Sequence, residues 1–286
     1  LASITLAVRS PLHRFIRQGL TRQEMSDGLV FAALTFVVWP LLPDRPIGPF
    51  NAVNPHKVWL VAILAMGAAA LGHVAMRLIG PRLGLAISGF VSGFISSAVT
   101  IGAMGARATQ TPHLLSAAAS GAVLSTVATI VQLALLVMVV SPDVARAMAG
   151  SLACAGLAAI GYATLFVLRP ANTPPEPAQS AGHAFNLRSI LTFTFVLCVV
   201  LIVSAALSAG FGAQGVQLAA GVAGLVDLHA AAVSVSSLNA GGQESVPDSV
   251  VAILIALSTN TLTKMVLAFS SGGAPFARRV APGLLL

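Results

Sequence analysis

Eight stretches of this chain are each apolar for about the 20 residues that an α-helix needs to cross ~30 Å of hydrocarbon. They lie at roughly 26–43, 58–79, 83–105, 114–140, 144–168, 189–209, 215–238 and 248–270. Nothing else in the sequence restricts the fold so strongly. A backbone buried in lipid has no water to bond, so it must close its own hydrogen bonds as helices or as a barrel. Barrel strands would alternate apolar with polar residues. This chain instead has unbroken apolar runs, 26 glycines and only 6% aromatic residues, which suits helices packed through small side chains. The expected fold is all-α, a polytopic transmembrane helical bundle of about eight spans in a lipid bilayer.

The connections divide the chain. Residues 1–25 contain PLHRFIRQGLTRQEMSDG, an amphipathic segment expected at the membrane surface with its arginines near lipid phosphates. Spans one to five occupy 26–168. A Pro-rich loop follows at 169–188 and cannot build a core. Spans six to eight fill 189–270, and 271–286 reads as a cytoplasmic tail. The chain begins at Leu1 in mid-pattern, without the order of a secretion signal, so its start reads as a cut.

Positive residues are retained on the cytoplasmic side of bacterial inner-membrane proteins. Eight crossings with both termini cytoplasmic put Arg9, Arg14, Arg17, Arg22, Arg77, Arg82, Arg146, Arg278 and Arg279 inside. Arg45, Lys57, Arg107, Arg169 and Arg188 then fall outside. This scatter through short connections also argues against nucleic acid as a partner, since such binders cluster their charge on one face. Homo-oligomerisation stays open. Cys154 and Cys198 stand singly in apolar runs and read as packing residues.

An internal repeat is suggested when Gly93 is placed over Gly224, so that SGFISSAVTIGAM lies over AGLVDLHAAAVSV. Each segment is the middle of a three-span unit, the first at about 58–140, and each precedes a span with a Ser-Thr pair, Ser125-Thr126 or Ser258-Thr259. Four spans separate equivalent positions, so the repeats are expected to be parallel, with a site at their interface. In the third span Ser88, Ser92, Ser96 and Thr100 recur every four residues beside Gly89 and Gly93, which makes one narrow polar stripe. The alignment puts Ser96 over Asp227.

Asp227 lies in the middle of its span, where a carboxylate costs ~2.5–3.5 kcal/mol even on the lenient insertion scale, so it must face protein, water or a partner. Two readings stand: a cation or proton site, or a structural role, as an ion pair with Lys264 or as a protonated acid held by hydrogen bonds. The last span, with Ser258, Thr259, Asn260, Thr261, Thr263 and Lys264, is the most polar. Asn260 is expected nearest Asp227 in depth, with Lys264 about 6 Å further along at 1.5 Å per residue. His229 follows Asp227 by two residues, ~200° around a regular helix, so one metal ion cannot be held by both unless the helix is broken there. His229 and His73 are accessory candidates, each more simply read as a helix-to-helix hydrogen bond. Ser125, Thr129 and Gln132 share a face of the fourth span and are expected mainly to pack it, with Gln132 a third accessory candidate. No P-loop, H-E-x-x-H or G-x-S-x-G occurs, and no enzyme is expected.

The run from Leu41 to Ala108, with AGLVDLHAAAVSV and LIALSTNTLTKMV, resembles the C-terminal uncharacterised domain fused to bacterial MgtC/SapB-type membrane proteins. The pieces that carry the resemblance are N-P-x-x-x-W at Asn54 to Trp59, G-F-I-S-S at Gly93 to Ser97, G-L-V-D at Gly224 to Asp227 and S-T-N-T-L-T-K at Ser258 to Lys264. It implies a magnesium-transport or magnesium-stress association that belongs mainly to the MgtC-like half absent from this chain.

The expected function is a cation transporter or channel-like component, for Mg²⁺, another divalent ion or a proton. Asp227 supplies the fixed charge and the one metal ligand. Ser96, Ser97, Thr100, Thr259 and Asn260 supply neutral oxygens, and Lys264 tunes the charge. No cofactor is expected beyond a bound cation. The rival is a non-transporting scaffold or regulator whose polar residues only hold helices together.

Overall fold

A computed structural model describes residues 22–79, 84–167 and 187–286. Among them there are eight helices and no strand, only an isolated bridge between Ile47 and Val53. Helix α1 (Arg22–Ala33) continues through a π-turn to Leu41, and α2 is Pro55–Ile79. Then come α3 (Gly84–Gln110), α4 (Leu115–Val140), α5 (Pro142–Val167), α6 (Leu187–Val226), α7 (Leu228–Ala240) and α8 (Val246–Leu285). Five helices are long and apolar enough to cross a membrane, so this is a membrane protein of the expected all-α class. The 1–25 segment lies mostly, and the 169–188 loop almost wholly, outside the described residues, as does the side chain of His73.

The eight apolar stretches all become helix, but four of the chain's reversals occur inside helices. In α3 the backbone is extended at Ser96, with φ −167° and ψ 110°. The arm before Ser96 packs by glycine: a Cβ on Gly89 would lie 2.2 Å from the Gly121 carbonyl oxygen, and one on Gly93 would lie 2.7 Å from Ser125 Cα. The arm after Ser96 returns to the same half of α4, since the Met104 side chain also reaches Gly121. The Thr100 hydroxyl donates to Ser92 Oγ at 3.0 Å, although eight residues along a straight helix span ~12 Å. Thus α3 is a hairpin laid along the first half of α4.

The α6–α7 segment repeats the device at Asp227, where φ is −151° and ψ 108°. Before the break, Gly221 and Gly224 lie against Ile255, Ala256 and Thr259 of α8. After it, α7 runs to the short 241–245 turn and joins the start of α8. A further reversal stands at Gly212, whose φ of +59° favours glycine. A Cβ on Gly215 would lie 2.2 Å from the Leu207 carbonyl oxygen. An apolar cavity of about 420 Å³ is lined from both sides of that turn, by Phe195, Val199 and Leu207 and by Leu218, Val222 and Val226.

The fourth reversal, at Gly273, corrects the expected 271–286 tail. The last arm is helical and lies beside α4, with Phe276, Val280 and Leu284 buried, Arg279 donating to Ser116 and Gly283 against Val123 and Tyr162. Burial of three large apolar side chains, each worth about 1.5–3 kcal/mol, outweighs solvation of this segment as a tail.

These contacts define two faces. On the lower face, where α4 starts, lie the ends of α2 and α3 and the Gly273 turn. On the upper face, where α4 ends, the Ser141 hydroxyl at its C-cap donates to Asn239 near the end of α7 at 2.8 Å, and α8 begins just after. α4 and α8 therefore run in opposite directions. The expectation of parallel repeats missed this, because it counted α3 and α6–α7 as single crossings. Ile101, Met104, Val123, Ala163 and Phe276 form the core of the lower half; Leu133, Val137, Met148, Val235 and Ile253 form that of the upper half.

Candidate functional site

The two interrupted helices free backbone groups midway along the apolar helices, where each must find a partner. Ser96 Oγ accepts from the Val99 amide at 3.3 Å. The Asp227 carboxylate does the same for α7, accepting from the amides of His229 at 2.8 Å and Ala230 at 3.2 Å. Both are N-caps, one neutral and one charged, and the charge suits the positive end of a helix dipole. The carbonyls freed on the other side of the second break are met from α8: Asn260 Nδ2 donates to Gly224 O and the Thr263 hydroxyl to Leu225 O, each at 3.1 Å. Asn260 thus bonds three residues before the Asp227 turn, and Thr263 bonds one residue nearer to it.

Lys264 is 98% buried by surface area, with a relative exposure of 2%. Among the described residues its ammonium donates to the Thr129 hydroxyl on α4 at 3.1 Å. The permanent Asp227–Lys264 pair is not formed among the described residues. His229 stands beside the carboxylate, its Nδ1 3.7 Å from Asp227 Oδ1. Its buried Nε2 has no hydrogen-bond partner among the described residues. The break at Asp227 removes the ~200° separation of a regular helix, so residues 227 and 229 face the same place.

Other candidates are placed as follows. The Thr100 hydroxyl donates to its own helix at Ser96 O, 2.8 Å, as well as to Ser92. Thr259 donates to Ala256 O in its own helix and touches Gly224. Ser97 is half-buried one residue beyond the first break. Gln132 is buried one turn past Thr129, and among the described residues no hydrogen bond links it to the charges. Ser258 is exposed and bonds Leu254 O, away from the site. Sequence reasoning left Thr129 among packing residues, yet it holds the buried ammonium. The signal was present: the shift that sets Gly93 over Gly224 also sets Thr129 over Asn260.

A mainly apolar cleft of about 240 Å³ opens on the upper face between the start of α2 and the end of α7, with Asn54, Lys57, Ser237 and Gln243 among its lining residues and buried Val61 and Val233 in its wall. Val233 is six residues along α7 from Asp227, ~9 Å at helical rise.

A family model described as a domain of unknown function (DUF4010) matches residues 61–272. The chain belongs to the DUF4010 family. The match runs from inside α2 to the residue before the Gly273 turn, so it takes in both interrupted helices, Lys264 and Thr129. The MgtC/SapB association and the magnesium it implies are not part of that match. No curated protein and no solved structure matches the chain.

Proposed function

We propose that this DUF4010 protein transports an ion across the bacterial inner membrane, with Asp227 as the exchanging group and Lys264 as its fixed countercharge. The observation that supports it is the cluster of Asp227, His229 and Lys264 at the break in a helix. Each ionisable group at such depth carries a desolvation cost, and intramembrane acids, histidines and lysines characteristically line ion and proton paths. A structural use alone would be served by Asn or Ser, which cap helices as well as Asp does.

The cargo favoured is a proton or a monovalent cation. A bound Mg²⁺ usually keeps several waters and takes one or two carboxylates. Among the described residues no group of three His, Cys, Asp or Glu side chains stands together, and Asp227 is the one carboxylate within this cluster. Protonation or cation binding at Asp227 changes the field on His229 and Lys264, and the unpartnered His229 Nε2 is placed to exchange a proton with entering water. The cleft on the upper face supplies the approach from that side.

The scaffold reading has one observation in its favour: Asn260, Thr263 and Thr259 all bond backbone carbonyls. Flux in proteoliposomes separates the two. With an imposed proton or sodium gradient, wild-type protein is expected to carry flux, and Asp227→Asn, which keeps the cap but not the charge, to lose it at least tenfold. Equal flux in both removes Asp227 from the mechanism; no flux with either gradient leaves the scaffold.

A further inference from the structure

The two halves of the molecule match in detail at one shift in numbering, 131 residues. The extended break falls at Ser96 and at Asp227. Each break residue caps the amide three positions on, Val99 and Ala230. The glycine three positions before it, Gly93 or Gly224, presses on Ser125 or Ala256, again equivalent positions. The helix that each hairpin packs on starts at Leu115 or Val246. Such agreement in backbone break, cap, close contact and helix start is not produced by composition alone. Yet α4 and α8 run oppositely.

We infer that the chain is an inverted repeat in which the hairpins at Ser96 and Asp227 are re-entrant, dipping from opposite membrane faces so that their tips wall one central site. This deepens the transport reading for the same site but stands on separate geometry. The Ser96 hairpin has both arms against the lower half of α4; the Asp227 hairpin has both arms in the upper core with Leu133 and Ile253. Their tips converge on one stretch of α4: Gly93 touches Ser125, and Lys264, next to the Thr263 that bonds Leu225 O at the second break, donates to Thr129 one turn on. Ser96 is then the uncharged counterpart of Asp227, and half-helix N-termini reach the centre from both sides, as expected of inverted-repeat transporters.

The distribution of basic residues supports the topology independently. If α3 and α6–α7 spanned fully, the described cationic residues outside the helix centres would divide five to four: Arg22, Arg77, Arg146, Arg278 and Arg279 against Arg45, Lys57, Arg107 and Arg188. With re-entrant hairpins, Arg22, Arg77, Arg107, Arg188, Arg278 and Arg279 share the lower face, and Arg45, Lys57 and Arg146 the upper, six to three. The sharper asymmetry marks the lower face as cytoplasmic.

The test places single cysteines at four exposed positions, Arg45, Gln110, Asp143 and Gln243, in the full chain with Cys154 and Cys198 replaced by Ala, and labels them with a membrane-impermeant thiol reagent in intact and opened cells. Re-entrant hairpins predict that Arg45→Cys, Asp143→Cys and Gln243→Cys label from the periplasmic side and Gln110→Cys only after opening. Full crossings predict instead that Gln110 labels with Arg45, and that Asp143 and Gln243 label from opposite sides; that pattern overturns the inference. A second measurement addresses the shared site: Ser96→Asp combined with Asp227→Ser is expected to restore flux that Asp227→Ser alone abolishes. Labelling as expected without rescue refutes the equivalence of the tips. Labelling as expected with no flux in any protein refutes transport and leaves the repeat standing.

Discussion

The hairpin at Ser96 and the hairpin at Asp227 solve one backbone problem with different chemistry. Both interrupt a helix with one extended residue, and both press a glycine onto the neighbouring long helix. The first is closed by neutral groups: Ser96 caps, and Thr100 ties the two arms through Ser92. The second is closed by a carboxylate and by donors from α8, and it has a histidine and a lysine beside it. The shared parts are what the fold requires; the ionisable groups of Asp227, His229 and Lys264 are particular to the second. The chemistry proposed above therefore rests on where the two hairpins differ.

The largest effects are expected where they agree. Gly89→Ala and Gly224→Ala each drive a methyl into backbone, 2.2 Å from Gly121 O and 2.4 Å from Ala256 O, and backbone cannot rotate aside. Each is expected to destabilise at or beyond the upper end of the ~1–3 kcal/mol typical of overpacking. Gly102→Ala, with nothing within 4 Å of the added methyl, is the control and is expected to be neutral or slightly stabilising. Thermal unfolding in detergent, followed by circular dichroism, ranks the three. A Gly89→Ala protein as stable as Gly102→Ala would mean that the first hairpin does not touch α4 so closely.

Next in size are the partners of the second hairpin. Asn260→Leu leaves Gly224 O without its donor and Thr129→Val leaves the Lys264 ammonium without its hydroxyl, each expected to cost about 1–3 kcal/mol. Lys264→Met keeps the stem and removes a buried charge, so the melting temperature is expected to hold or rise while flux falls. A melting temperature lowered by Lys264→Met would show that the ammonium has a stabilising role that its hydrogen bond to Thr129 does not reveal.

Loss of the caps comes third. Ser96→Ala and Asp227→Ala are each expected to cost about 0.5–2 kcal/mol, with Asp227 toward the upper end because it accepts two amides. The smallest effect on stability, a few tenths of a kcal/mol, is expected for Asp227→Ser, since Ser96 shows that a hydroxyl closes the same turn. The comparison is sharpest there: a stable, correctly folded Asp227→Ser protein without flux assigns the carboxylate to transport, and one with flux assigns it to capping.

Much of this was legible in the sequence. Apolar length gave the helices, because lipid leaves the backbone no other partner, and Asp227 and Lys264 stood out because charge at that depth is costly. The alignment of Gly93 with Gly224 found the two positions where the backbone breaks. Periodicity did not show the breaks themselves. A hairpin of two half-length helices and one crossing helix have the same hydropathy, since both are buried in lipid or protein throughout. The 215–238 stretch therefore read as a span, and the expected repeats were counted as parallel. The same is true of 271–286, which read as a tail.

The sequence by itself determined that this chain is a bundle of lipid-embedded helices with a few costly polar residues at its centre, because transfer energies add along the chain without reference to its path. Only the tertiary structure decided that Ser96 and Asp227 are turning points, that Lys264 reaches Thr129 and not Asp227, and that residues 227 and 229 face one place. Those facts depend on which backbones approach within van der Waals contact, at Gly89 with Gly121 and Gly224 with Ala256, and such contact between residues about 32 positions apart leaves no period in the sequence.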